Sequence, residues 1–219
     1  MSVVLLVRHG QASWASHDYD RLSLLGEEQS RVLGAALAAR GVRPDLLVRG
    51  SMRRHCQTAA AATAAAGWDG EVVEDVGWDE FDHLRTLTGR VGFPEVVDEA
   101  DEDRVRRFEA TIDHWASGTH DEDFHESFPA FCHRVEGALG RTLDRLGPQQ
   151  TAVVFTSGGP VSWVAARLAD GGVPVWRRLG NVVVNGSVTK VLVGRRGTSL
   201  ISFNDHAHLE VRPCLRTYR

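Results

Sequence analysis

An unbroken apolar strand near the start of the chain places the strongest constraint on the fold. Val-Val-Leu-Leu-Val at residues 3–7 has no polar residue between its apolar ones, so both faces of the strand must be buried. A strand of this kind is typical of a parallel or mixed sheet that carries helices on both faces. The chain has 219 residues, which is enough for one sizeable core.

The segments that follow alternate between helix and strand. This β-α-β-α-β order predicts an α/β protein, a three-layer α/β/α sandwich with a mainly parallel sheet. Two late strands are predicted to be antiparallel. The predicted helices are 23–40 (N-cap Ser23), the alanine-rich stretch from Ser51 to Gly67, 101–116, 127–146 and Val161–Ala169. The predicted strands are Val3–Val7, Leu46–Val48, Val72–Val73, one within TAVVFTSGG, Ser187–Val193 and Ser199–Phe203.

Residues 82–126 have a different composition from the rest of the chain. They mix Asp, Glu, His and Arg with few long apolar runs. We interpret this region as an insertion into a single domain of residues 1–219, and we expect it to cap one end of the sheet. Its side chains would then select the substrate.

Composition excludes several classes of partner. The net charge of −4 and the pI of about 6.2 do not favour binding to nucleic acid. No run approaches the roughly 18 apolar residues of a membrane helix, and the run at residues 3–7 is too short for a signal peptide. Cys56, Cys132 and Cys214 form no metal-binding pattern, so we expect reduced thiols, a cytoplasmic location, no metal and no other cofactor.

Two predicted strands end in polar, glycine-containing segments. The strand ending at Val7 continues into Arg8-His9-Gly10, and the one ending at Phe155 continues into Thr156-Ser157-Gly158-Gly159. In open α/β sheets, ligands bind beyond the carboxyl ends of the strands. We therefore expect both segments at one rim of the sheet.

A third polar segment is predicted at a helix N-terminus. Arg54 lies near the start of the alanine-rich helix, where backbone N–H groups and the helix dipole attract anions. Arginine adds bidentate hydrogen bonds to phosphate or carboxylate oxygens. Neighbouring helix residues point about 100° apart, so Arg53 and Arg54 are not expected to face the same site.

Together these segments resemble the histidine phosphatase superfamily, the phosphoglycerate mutase-like family. The resemblance is carried by Arg8-His9-Gly10, by LSLLGEEQ at 22–29, by RHCQTA from Arg54 to Ala59 and by WDE at 78–80, in the family's order and spacing. It implies that His9 attacks a phosphoryl group as a neutral imidazole and carries it as phosphohistidine. It also implies that Arg8 and Arg54 bind the phosphoryl oxygens.

The same resemblance implies a general acid for the leaving oxygen. Glu80 in WDE is the candidate, because it sits in a context like the family's Leu-x-Glu at the end of the third βα unit. A carboxyl beside a dianionic phosphate would have its pKa raised, which keeps it protonated. Glu74 is the rival candidate, and Asp79 and Asp82 lie close by in the sequence.

One position departs from the family pattern. The family has a second histidine in Ser-His-Gly-Gly at the end of the late strand, where this chain has Ser157. A serine donates one hydrogen bond without positive charge, while the backbone at Gly158 and Gly159 can still approach the phosphate. His83, His206 and His208 are the other candidates for an imidazole at this place, and we expect them to be surface residues instead.

Because of this departure, a Ser157→His substitution would show whether another imidazole lies beside Ser157. If no imidazole lies beside Ser157, the new histidine adds a charged donor and kcat is expected to rise. If another histidine already lies there, the new side chain is expected to clash and activity to fall. The sequence favours the first outcome, because no motif places another histidine there.

The resemblance implies one main function and two alternatives. The main hypothesis is a metal-independent phosphatase of small phosphorylated molecules. A catalytically weak relative that binds phosphorylated ligands or a protein partner is the alternative that Ser157 motivates. A phosphoglycerate mutase is less favoured, because Gln11-Ala12-Ser13-Trp14-Ala15 lacks the asparagine of Glu-Ser-x-Trp-Asn. The sequence predicts neither the substrate nor the oligomeric state.

Overall fold

The structure is a computed structural model that describes residues 1–13, 20–81, 101–119 and 121–218, without the side chains of 101–105, 107 and 108. Helices and strands alternate along most of this length. The strands are β1 (Ser2–Arg8), β2 (Leu46–Arg49), β3 (Val72–Glu74), β4 (Thr151–Thr156), β5 (Val188–Gly194) and β6 (Gly197–Asp205). The helices are α1 (Leu24–Ala39), α2 (Arg53–Ala66), α3 (Asp101–Ala116), α4 (Phe128–Asp144), α5 (Gly158–Leu168), α6 (Val173–Gly180) and α7 (Ala207–Glu210).

The strands form one mixed sheet in the order β3-β2-β4-β1-β5-β6. The pairs β3–β2, β2–β4 and β4–β1 are parallel, while β1–β5 and β5–β6 are antiparallel. The predicted α/β fold with a mainly parallel sheet is therefore confirmed, as are the two antiparallel strands at its end. The carboxyl ends of β1, β4 and β2 lie together, since Arg8 pairs with Thr156 and Arg49 with Phe155.

Strand β1 is buried on both faces, as its apolar sequence predicts. Leu5 and Val7 join a core cluster with Leu33 of α1 and Ala59 of α2. Val4 and Leu6 point to the opposite face, because side chains alternate along a strand, and both are 0% exposed. Helix α5 contacts β1 as well.

The boundaries of the predicted helices agree with the structure at most places, and the start of α5 is the main difference. Ser23 caps α1 by accepting a hydrogen bond from the Gly26 N–H, and Gly67 ends α2 in the left-handed conformation. Helix α5 begins at Gly158, three residues before the predicted start at Val161, because the glycines after β4 are helical. Helices α6 and α7 were not predicted, since their eight and four residues give too short a periodic pattern.

The described residues divide into two compact units. One comprises residues 1–80 and 135–219 and contains the sheet, and the other comprises residues 81–134. In the second unit, Ile112 and Trp115 of α3 are buried, and Trp115 packs edge-on against Phe128. Residues 82–100 and 120 of the predicted insertion lie outside the described residues, and the capping position of the insertion stays a prediction. No helix within the described ranges is both long and apolar enough to cross a membrane.

Candidate active site

The predicted polar segments meet at one rim of the sheet, beyond the carboxyl ends of β1, β4 and β2. The His9 N–H donates to the Thr156 carbonyl at 2.9 Å, which joins the two strand ends directly. The Gly10 N–H donates to Thr58 Oγ1 of α2 at 3.1 Å. The imidazole of His9 thus lies where three parts of the chain meet: the segment after β1, the segment after β4 and the first turns of α2.

Several motif residues hold the backbone after β1. A side chain at Gly10 would overlap the Gly26 carbonyl of α1, so glycine permits this close approach. Gln29 Oε1 accepts from the Gln11 N–H at 2.7 Å, and Asn185 Nδ2 donates to the His9 carbonyl at 3.2 Å. Gln29 belongs to the LSLLGEEQ motif, but sequence reasoning missed Asn185, for which the sequence contains no motif.

His9 has the tautomer that a nucleophilic imidazole requires. The side chain is 7% exposed, and Nδ1–H donates to the Gly10 carbonyl at 2.6 Å. This bond leaves the lone pair on Nε2. Burial, together with the positive charges of Arg54 and Arg8 and the nearby His55, lowers the pKa of His9 well below its usual 6.5. The ring is therefore neutral at physiological pH.

Arg54 lies inside the site and Arg53 does not. The side chain of Arg54 is 3% exposed, and its Nη1 forms an ion pair with Asp20 Oδ1 at 2.9 Å. Arg53 is exposed, as the helix geometry predicts. Asp20 also accepts the Arg53 backbone N–H at 2.7 Å, so a carboxylate caps the N-terminus of α2. Sequence analysis did not identify Asp20.

Arg8 lies beside the first turn of α5. Its Nη1 donates to the carbonyls of Val183 and Tyr218, the latter at 3.1 Å. A side-chain carbon at Gly158 would lie 3.5 Å from Arg8 Nε, so the guanidinium passes next to the Gly158 backbone.

The two candidate acids have different surroundings. Glu80 Oε2 accepts the Gly159 N–H at 3.0 Å, which places this carboxylate at the N-terminus of α5, close to Ser157 and Gly158. Glu74 is 48% exposed and pairs with Arg49 Nη1 at 2.8 Å. Glu80 is thus brought to the rim with the other candidates, whereas Glu74 is engaged in a surface ion pair.

A histidine does lie beside Ser157, so the expectation of no imidazole at that place is wrong. Nε2 of His55 lies 2.6 Å from Ser157 Oγ, and both side chains are 0% exposed. The ring centroids of His55 and His9 are 5.7 Å apart. His55 occurs in RHCQTA, directly after Arg54, where no expected pattern marks it.

The histidines named earlier have other partners or cannot be placed. His206 Nδ1 donates to the Asn204 carbonyl at 2.6 Å, and His208 Nε2 donates to the Gly186 carbonyl at 3.0 Å. Both are half-buried. His83 lies outside the described residues.

The arrangement suits a phosphoryl anion. It combines a neutral imidazole, two arginines, a carboxylate and the N-termini of α2 and α5 around one place. Within the part of the chain that the structure describes, no group of three or more His, Cys, Asp or Glu side chains is arranged to hold a metal ion.

Comparison with known proteins identifies a family across most of the chain. The family model described as histidine phosphatase superfamily (branch 1) matches residues 4–206. A 2,3-bisphosphoglycerate-dependent phosphoglycerate mutase from Thermobifida fusca (strain YX) is 38% identical over 74 residues, which are 31% of this chain and 30% of the mutase. The match thus spans less than a third of that relative.

Solved structures share the fold along nearly the whole chain. Bacillus stearothermophilus YhfR has a TM-score of 0.70 at 19% identity, covering 95% of this chain and 100% of that one. A mycobacterial glucosyl-3-phosphoglycerate phosphatase with inorganic phosphate has a TM-score of 0.67 at 21% identity, covering 94% and 98%. An Entamoeba histolytica phosphoserine phosphatase mutant with phosphoserine has a TM-score of 0.63 at 17% identity, covering 95% and 100%.

Proposed function

This chain belongs to the histidine phosphatase superfamily (branch 1), and we propose that it is a metal-independent phosphatase that hydrolyses phosphomonoesters through a phosphohistidine on His9. Its relatives include phosphatases and a mutase, which all transfer phosphoryl groups. The observation that carries the proposal is the buried, neutral His9, whose Nδ1–H bond to the Gly10 carbonyl leaves Nε2 as the nucleophile.

In the first step, His9 Nε2 attacks the phosphorus and the bond to the leaving oxygen breaks. The guanidinium groups of Arg8 and Arg54 stabilise the charge on the transferring phosphoryl oxygens. Glu80 gives its proton to the leaving oxygen, so an alcohol departs and a carboxylate remains. The phosphoryl group is then bound to Nε2.

In the second step, water hydrolyses the phosphohistidine. The Glu80 carboxylate takes a proton from the attacking water, and the Nε2–phosphorus bond breaks. Inorganic phosphate leaves, His9 is neutral again and Glu80 has regained its proton. The cycle is balanced without a metal ion or an external base.

The proposal is tested with the purified protein and a broad panel of phosphomonoesters. We expect release of inorganic phosphate from at least one small phosphorylated substrate, and we expect EDTA to leave the rate unchanged. Activity removed by EDTA and restored by Mg²⁺ would contradict the metal-independent mechanism. Binding of phosphorylated ligands without turnover would favour the alternative of a catalytically weak relative.

The same assay includes 3-phosphoglycerate and its 2-phospho isomer. Interconversion of the two faster than hydrolysis would favour a mutase, which the partial match to the Thermobifida fusca enzyme keeps as a second candidate. We expect hydrolysis to be faster.

Glu80→Gln is expected to slow substrates according to their leaving groups. The loss should be roughly 100-fold or more for alkyl phosphates, which need a proton on the leaving oxygen, and much smaller for nitrophenyl phosphate, which does not. Initial rates for a series of leaving groups measure this difference. Glu74→Gln is the matched control, since Glu74 pairs with Arg49. If Glu74→Gln produces the leaving-group dependence and Glu80→Gln does not, the assignment of the acid is wrong.

A further inference from the structure

A chain of three side chains, of which Ser157 and His55 are fully buried and Asp79 is half-buried, adjoins the proposed nucleophile. Ser157 Oγ lies 2.6 Å from His55 Nε2, and His55 Nδ1 lies 3.6 Å from Asp79 Oδ1. The second distance is slightly long for a hydrogen bond, but it keeps the carboxylate next to the ring nitrogen. His9 lies beside this chain, with its ring centroid 5.7 Å from that of His55.

The surroundings of His55 are built to hold an imidazole. A side chain at Gly50, directly after β2, would overlap both His55 Nδ1 and Asp79 Oδ1, so glycine makes room for the contact. Asp79 is fixed by the Ser51 N–H at 2.6 Å and the Ser51 hydroxyl at 2.5 Å. Ser157 is the N-cap residue of α5, yet its side chain makes no capping bond to the helix.

The surroundings of Asp79 and His55 determine which ring nitrogen of His55 carries its proton. Burial alone would raise the pKa of Asp79, but the adjacent His55 ring and the hydrogen bonds from Ser51 lower it, so Asp79 is ionised. Burial lowers the pKa of His55 despite the opposing effect of Asp79, so the ring is neutral. Asp79 then keeps the single ring proton on Nδ1, and Nε2 accepts the Ser157 hydroxyl hydrogen.

In this state Ser157 has no hydrogen to donate to a phosphoryl oxygen. One proton added at Nε2 reverses the bond: Nε2–H donates to Ser157 Oγ, and the hydroxyl hydrogen becomes available for another acceptor. The ring then carries a positive charge between Asp79 and Ser157. A bound dianion nearby favours this charged form.

We propose that His55, held by Asp79, takes up a proton when a phosphoryl anion binds at His9 and supplies positive charge and a hydrogen-bond donor to that anion through Ser157. This inference rests on the proposed function, because it requires the anion site at His9. It assigns to position 55 the imidazole that the sequence lacks at position 157. His55 acts through Ser157, whose hydroxyl is the group that contacts the phosphoryl oxygen.

Other charged groups face His55 and set the conditions for this proton uptake. Arg54 on the same helix opposes protonation, whereas Asp20 and Asp79 favour it. His9 is neutral and adds no charge. An anion that binds Arg54 offsets the opposing charge, so anion binding and protonation of His55 support each other.

A serine, a histidine and an aspartate in this order also activate serine nucleophiles in unrelated hydrolases. The position of Ser157 favours the proton-holding role instead, because Ser157 is the N-cap residue of α5, beside the proposed anion site at His9.

Moving the imidazole from position 55 to position 157 tests whether the bound phosphoryl group needs an imidazole beside it. On an aryl phosphate, we expect His55→Ala to lower kcat/KM roughly 100-fold, as the loss of one preorganised donor does. Ser157→His alone is also expected to lower it, because His55 Nε2 at 2.6 Å leaves no room for the larger ring. The double variant His55→Ala/Ser157→His is expected to regain at least roughly 10-fold over His55→Ala. A His55→Ala protein with wild-type kcat/KM, or a double variant no faster than His55→Ala, overturns the proposal.

Proton uptake gives a readout that a merely structural role would not change. Tungstate, which stays dianionic above neutral pH, is titrated into the protein by calorimetry in buffers of different ionisation enthalpy. We expect His55→Gln to take up about one proton fewer than the wild type, and His206→Gln to match the wild type. In the wild type with ¹⁵N-labelled histidine, the His55 ring signals should change from neutral to imidazolium on tungstate binding.

These outcomes separate the inference from the function on which it rests. Unchanged proton uptake in His55→Gln, or a His55 ring that stays neutral with tungstate bound, overturns the role of His55 while leaving His9-dependent phosphatase activity intact. A wild-type protein that binds no oxyanion overturns both the proposed function and this inference.

Discussion

A His9→Ala protein is expected to lose nearly all phosphatase activity, with kcat/KM for an aryl phosphate at least roughly 10,000-fold below the wild type. The change removes the nitrogen that forms the covalent bond in the proposed mechanism. Initial rates at matched protein concentration measure the loss.

His206→Ala is the control for His9→Ala, because His206 is a half-buried histidine bonded to the Asn204 carbonyl. It is expected to keep activity within about 3-fold of the wild type. A His9→Ala protein that retains more than about a tenth of the wild-type kcat/KM would mean that another group is the nucleophile.

Arg54→Ala is expected to lower kcat/KM roughly 100- to 1000-fold, because a buried guanidinium that stabilises the transition state is lost. The neighbouring Arg53→Ala is the matched control, with an expected loss of less than about 3-fold, since Arg53 is exposed. Arg54→Lys keeps the charge without the planar fork and should lie between the two.

Stability has to be measured alongside these rates. Removing Arg54 leaves the Asp20 carboxylate without its ion pair, so Arg54→Ala is also expected to lower Tm, whereas Arg53→Ala should not. Asp20→Asn tests whether any loss of stability follows from the broken pair. Equal losses of kcat/KM in Arg53→Ala and Arg54→Ala would contradict the placement of Arg54 in the site.

Much of the fold follows from local patterns in the sequence. The apolar run at 3–7 requires burial on both faces, and it forms the strand β1 inside the sheet. Ser23 and Gly67 mark the ends of helices because one accepts an orphan N–H and the other adopts a positive φ. The helix α6 was missed, since Pro174 and a short apolar pattern give little periodic signal.

The candidate site was predictable only in part. Arg8, His9 and Arg54 are brought to one rim because parallel strands end there, which the element order already implied. Asn185 and Asp20 join them through tertiary contacts between segments far apart in the sequence. No local pattern carries such information, because those contacts depend on how the chain returns to the sheet.

His55 illustrates the same difficulty at closer range. The sequence shows that His55 directly follows Arg54, but it does not show that His55 is buried. Its position depends on Gly50, which leaves room for the ring, and on Asp79, which lies next to Nδ1. Its contact with Ser157 links residues 102 positions apart. The motif at position 157 predicts no imidazole at that one position of the sequence. The structure places an imidazole there in space, from a residue on a different helix.

The covalent intermediate is the most direct test of the mechanism. An aryl phosphate is mixed with the wild-type protein, the reaction is quenched within one turnover, and the protein is digested and analysed by mass spectrometry under conditions that preserve phosphohistidine. The mechanism predicts one phosphoryl group on the peptide that contains His9, formed at a rate no slower than turnover. Turnover with no phosphoryl group on His9, or with the label on another residue, would contradict it.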